Sequence, residues 1–115
     1  VTQEEIKALY KRLEALRGTF DIDRKKALVE EKEKITQQPE FWNDPKKDEE
    51  VLKEIKSIRF WTEAYKKVGN AFDDLKVIHE FFDEGEGTEK ELDKQYDKAF
   101  QAIEDLEFMN MLSSE

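Results

Sequence analysis

His79 is the single histidine in this 115-residue chain, so any imidazole chemistry has to run through it. A histidine works as a base or a ligand only with partners in reach. In carboxylate-bridged di-iron bundles that partner is a glutamate three positions earlier on the same helix. Here the position is Lys76, so the signature is absent and His79 reads as a structural or surface residue of a helix. Asp21-Ile22-Asp23 resembles the first residues of a calcium loop, with side-chain oxygens at alternate positions. The third oxygen ligand would fall at Lys25, and no glycine follows where the loop needs its sharp turn, so the pair reads as a helix cap. Gly85 and Gly87 stand among Glu84, Glu86 and Asp83, the wrong sign for a phosphate cradle. With 29 Asp and Glu residues, any two carboxylates are a weak signal for acid–base work. The sequence contains no cysteine, which removes disulfides and thiolate metal sites and is compatible with a reducing cytosol. No catalytic, cofactor-binding or metal-ligating residue is assigned, and no cofactor is expected.

The elements that carry these residues are helical. Thr2 and Glu5 have capping-box spacing, and Ile6, Leu9, Leu13 and Leu16 fall on one face before Gly18, which fits a left-handed helix end. A second segment starts near Asp21 or Asp23, where a short carboxylate can cap. Its clearest inward residues are Ala27, Leu28 and Ile35, a thin stripe that suits one neighbour only. Gln37-Gln38-Pro39 ends it. The third segment opens with Asp44 as N-cap and Pro45 at the first helical position, followed by Asp48, Glu49 and Glu50 at the positive end of the dipole. Val51, Ile55, Ile58, Thr62, Tyr65, Phe72, Leu75 and Phe82 continue its stripe, and Trp61, Val68 and Ile78 widen it. Gly69 interrupts this segment and marks a bend or a close helix crossing. Phe81 and Phe82 cannot both face one stripe, because neighbours lie about 100° apart on a helix.

After the turn Asp83-Glu84-Gly85-Glu86-Gly87, Thr88 and Glu91 form a second capping box. Leu92, Tyr96, Ala99, Ile103 and Leu106 then make a coiled-coil-like seam. The expected fold is all-α: a small helical bundle with a long antiparallel coiled-coil-like hairpin, its helices at about 3–17, 22–37, 45–82 and 89–112. Residues 1–115 are expected to form a single helical domain. The first residue is Val1 rather than Met, which suggests an excised piece of a longer protein, with N-terminal processing as the other explanation. The net charge of −9 disfavours phosphate backbones, so direct nucleic-acid binding is not expected. No apolar run is long enough to span a membrane, and no signal-peptide pattern is present.

The corner between the second and third segments is Pro39-Glu40-Phe41-Trp42-Asn43-Asp44-Pro45. Two prolines end helix on their N-terminal sides, and Phe41 with Trp42 is expected to plug the open end of the helices there. Together with Leu13-Glu14-Ala15-Leu16-Arg17-Gly18, the Asp21/Asp23 pair, Leu106-Glu107-Phe108 and Met111-Leu112-Ser113, this corner resembles the N-terminal domain of the bacterial peptide chain release factor 2 family. The resemblance covers nearly the whole chain, and its specific piece is Trp42, which the sister release factor 1 family typically lacks. The chain departs from the family at Met109-Asn110, where two arginines are frequent, and at Ser114, where glycine is common.

What the resemblance implies is translation termination. The whole protein would read UAA and UGA through a Ser-Pro-Phe tripeptide and trigger peptidyl-tRNA hydrolysis through a Gly-Gly-Gln motif. Neither tripeptide occurs in these 115 residues, so this stretch is expected to be a docking domain and not an enzyme. The implied partners are the ribosome, at the stalk base of the large subunit near ribosomal protein L11, and release factor 3, and the implied location is the cytoplasm. An alternative from the residues alone is a stand-alone helical interaction module or dimerising scaffold, carried by the 92–106 seam and the long third segment. For a contact surface, the exposed turn from Asp83 to Thr88 is the natural probe of a long hairpin.

Overall fold

The computed structural model describes residues 1–113, so Ser114 lies outside the described residues. Four α-helices follow one another: α1 (Gln3–Phe20), α2 (Ile22–Thr36), α3 (Pro45–Asp83) and α4 (Glu89–Ser113). A single 3₁₀ turn, Phe41–Asn43, sits between α2 and α3, and no strand occurs among the described residues. The fold is an all-α helical hairpin bundle. Its contacts gather into two compact units. One comprises Val1–Thr19, α3 from Ala64 onward and α4; the other comprises Phe20–Glu63.

In the first unit three helices share one core. Thr2 and Glu5 make the reciprocal capping box: the Thr2 N–H donates to Glu5 Oε1 at 3.0 Å, and the Glu5 N–H donates to Thr2 Oγ1 at 3.1 Å. The stripe on α1 buries Ile6, Leu9 and Leu16, while Leu13 is half-buried. Tyr10 packs edge-on against Phe72 with ring centroids 5.4 Å apart, and its hydroxyl donates to the Phe72 carbonyl at 3.2 Å. Further along, the Arg17 guanidinium lies over the Tyr65 ring. These pairs run in opposite directions along the two helices, so α1 is antiparallel to α3. The Val1 amine pairs with Asp93 at 2.6 Å, and Arg12 covers the Phe100 ring and pairs with Glu104 and Glu107, so α1 runs parallel to α4. The α4 seam buries Leu92, Ala99, Ile103 and Leu106 and half-buries Tyr96. Gln95 is also buried, and its Nε2 donates to the Ala71 carbonyl at 3.1 Å. A seam position counted by apolarity alone misses it.

Gly69 marks no close helix crossing. Helix α3 runs through it unbroken, and a Cβ placed there would meet nothing within 4 Å. Nor does α1 end at Gly18: it continues to Phe20 because Phe20 is buried and stacks edge-on with Trp61 in the second unit. The left-handed position falls instead on Asp21, at φ 51 and ψ 51, and Asp21 makes no side-chain cap on α2. Aspartate tolerates this conformation better than most residues.

The inward face of α2 also differs from expectation. Ala27 and Ile35 are exposed and Leu28 is half-buried; the buried residues are Ile22 and Val29. The face that turns inward runs through 22, 25, 29, 32 and 36, and it is completed by the stems of Lys25 and Lys32. The Lys25 ammonium donates to the Phe20 carbonyl, Lys32 reaches Glu54 at 2.5 Å, and Glu33 pairs with Arg59. Snorkelling lysines hold two of the five positions of this stripe, which an apolar count cannot see. At the corner, Phe41 is buried but Trp42 is 69% exposed, so Trp42 does not plug the helices. Side chains of neighbours in a 3₁₀ turn diverge by about 120°, and only one can face the core. Trp42 rests edge-on against Phe41, with centroids 4.8 Å apart. The Asp44 cap on α3 is present: its Oδ1 accepts from the Lys47 N–H at 3.4 Å.

Candidate protein-docking surface

The loop between α3 and α4 is built by a glycine-dependent helix stop. The Glu86 N–H donates to the Phe81 carbonyl at 2.8 Å and the Gly85 N–H to the Phe82 carbonyl at 3.0 Å. That pair of bonds is the Schellman arrangement, and it requires a left-handed residue at Gly85, whose φ is 85. Gly87 is left-handed too, at φ 79. Glu91 Oε2 comes within 3.4 Å of where a Cβ on Gly87 would lie, so the first turn of α4 folds back over the loop. Thr88 Oγ1 accepts from the Glu91 N–H at 3.1 Å and fixes the start of α4.

Beside this turn an apolar patch faces outward. Phe81 is 50% exposed, Phe82 36% and Val77 48%. The conflict between Phe81 and Phe82 is thus resolved with both rings reaching solvent. Beside them lies a recess of about 240 Å³ lined by Ile78, Phe81, Phe82, Gly87, Thr88 and Glu91. Glu86 lines it too, and Glu80, Asp83, Glu84 and Glu89, close by in sequence, are all exposed. His79, half-buried, points Nε2 at Asp83 Oδ2 across 3.5 Å, one helical turn away. The surface offers aromatic faces, an apolar recess and a carboxylate rim. That combination suits a protein partner with basic and apolar side chains, and its charge repels a phosphate backbone.

The turn from Asp83 to Thr88 is where the sequence puts it, but Val77 gives no sign in the sequence of facing outward. Asp21 and Asp23 do not come together as a cation loop: Asp21 is the left-handed link before α2, with its carboxylate 3.9 Å from Arg24. Among the described residues no group of three or more His, Cys, Asp or Glu side chains could hold a metal ion. No helix among them is long and apolar enough to cross a membrane. Asp48, read from the sequence only as a first-turn charge, is buried.

Comparison with known proteins adds the family. The model of the PCRF domain matches residues 25–115. Peptide chain release factor 2 of Nautilia profundicola is 34% identical over 114 residues, covering 97% of this chain and 31% of that protein. The protein of the same name from Shewanella baltica is 32% identical over 111 residues, with 95% and 30% covered. That of Tolumonas auensis is 30% identical over 113 residues, with 96% and 31% covered. The chain spans about a third of the length of these relatives. With the family model spanning most of its length, the chain belongs to the PCRF-domain family, among relatives named peptide chain release factor 2.

Proposed function

We propose that residues 1–115 form one N-terminal helical domain of a longer, cytoplasmic class I release factor that acts in translation termination. The observation that carries this reading is the PCRF-domain match over residues 25–115, with relatives named peptide chain release factor 2 aligned to nearly the whole chain. The complete protein reads UAA and UGA and triggers peptidyl-tRNA hydrolysis. The tripeptides for those tasks, Ser-Pro-Phe and Gly-Gly-Gln, are absent from these 115 residues and belong to the remainder of that protein. This domain docks. Its contact surface is the α3–α4 tip, and its partner is a protein at the stalk base of the large subunit, in the region of ribosomal protein L11. Release factor 3 is a second protein partner. The exposed Phe81 and Phe82 beside a carboxylate rim support a protein contact, as does a net charge of −9.

The test uses the full-length gene product on ribosomes programmed with UAA, UGA or UAG. Peptide release at UAA and UGA but not UAG is expected, and no release at UAA or UGA would sink the assignment. In the same assay, the double substitution Phe81→Asp and Phe82→Asp should raise the half-saturating factor concentration by about tenfold or more, as for loss of a buried aromatic anchor. The plateau rate should stay unchanged, and ribosomes lacking L11 should abolish the difference. A wild-type half-saturation in the double variant would remove the tip as the contact.

A further inference from the structure

The second unit holds a buried aspartate, Asp48, with one carboxylate oxygen unpartnered. Asp48 lies one turn into α3, its N–H donating to the Asp44 carbonyl at 2.9 Å. Only 6% of its surface is exposed, and Oδ2 has no hydrogen-bond partner among the described residues. A buried carboxylate oxygen left without a donor is costly. The helix N-terminus eases the charge but does not supply the missing bonds. Asp48 lines a cleft of about 240 Å³ whose apolar walls are Ile35, Phe41 and Val51. Glu40 and Asp44 line the same cleft, against one cation, Lys47. The cleft therefore carries net negative charge, an aromatic ring and a deep acceptor.

We propose that this cleft receives the arginine side chain of a protein partner, with the guanidinium donating to Asp48 and the stem lying against Ile35 and Val51. No group of three ligating side chains is present among the described residues, which leaves the cleft poorly made for a metal ion. An organic cation fits its chemistry. Between the two basic side chains, guanidinium is planar, more weakly hydrated than ammonium, and able both to fork onto a carboxylate and to stack on an aromatic ring. Phe41 supplies the ring and Asp48 the acceptor. A free amino acid would bring its own carboxylate to the acidic rim, whereas an arginine within a polypeptide would not. The site lies in the second unit and is independent of the α3–α4 tip.

The experiment is an NMR titration of the isotope-labelled chain with Nα-acetylarginine amide, following the Asp48 carboxyl carbon and the Phe41 ring. A saturable shift at both is expected. The neutral isostere Nα-acetylcitrulline amide should bind at least about tenfold more weakly, because it cannot form a charge-assisted bond. Nα-acetyllysine amide and free L-arginine should also bind more weakly. The substitution Asp48→Asn should weaken arginine-amide binding by a similar factor while leaving the helical circular dichroism intact. If that variant unfolds, the arginine–citrulline pair on the unaltered chain decides the matter alone. Equal binding of citrulline amide or lysine amide would overturn the proposal. So would tighter binding of free arginine, an unchanged response in Asp48→Asn, or shifts spread evenly over surface carboxylates.

Discussion

Phe72 and Phe60 are the same residue type on the same helix with opposite surroundings. Phe72 is 2% exposed at the centre of the first unit, beneath Tyr10, whereas Phe60 is 55% exposed. Phe72→Ala is expected to lower unfolding free energy by about 3–5 kcal/mol, and Phe60→Ala to change it by no more than about 0.5 kcal/mol. Urea denaturation of the two variants measures the difference directly, and similar losses in both would contradict the assigned core. A second residue-scale prediction concerns Glu5. The hydrogen bond from the Thr2 N–H holds its carboxyl below the ordinary glutamate range. Its contribution is therefore present above that range and fades as pH falls through the lowered value. The stability gap between the unaltered chain and Glu5→Gln should shrink as thermal melts move from pH 7 into that acidic window. A gap independent of pH would show that the carboxylate charge plays no part in the cap. At this scale the sequence was legible wherever a local rule decides: the Thr2–Glu5 box and the Asp44 cap need only their own neighbours. Trp42 and Asp48 were not, since their exposure is set by which neighbour wins the inward direction.

Among the elements, α3 shows how propensity and packing separate. Gly69 lies in the interior of a 39-residue helix with no atom near a hypothetical Cβ. Glycine there costs helix stability without giving a close approach in return. Gly69→Ala is therefore expected to stabilise the chain by about 0.5–1 kcal/mol, read as a rise in the midpoint of thermal or urea unfolding. Destabilisation would reveal a steric or conformational demand that the helix geometry does not display. The long amphipathic runs of α1, α3 and α4 were readable because strong apolar periodicity persists over many turns. Helix α2 was harder. Ile22 was lost to the cap reading, and the inward positions 25 and 32 are lysines whose stems, not their charges, do the packing. Helix existence thus followed from pattern, while the facing of the weakest helix depended on tertiary contacts.

For the molecule as a whole, charge is the dominant fact. At −9 it should not be retained by single-stranded RNA at physiological salt, because there is no counterion release to drive the association. Filter binding with an unstructured RNA provides the check, and salt-sensitive retention below about micromolar concentration would contradict a protein-directed surface. The three-helix unit has another consequence, in time rather than in space. Helix α1 is synthesised first, yet Tyr10 meets its partner 62 positions later and Arg12 meets Glu104 92 positions later. At about 5–20 residues per second, Arg12 waits roughly 5–20 s for the end of α4 to be made. Until α3 is made Ile6, Leu9 and Leu16 have no tertiary cover, and until α4 follows the cover is incomplete, so the nascent chain offers an apolar stripe to ribosome-bound chaperones until α4 displaces them.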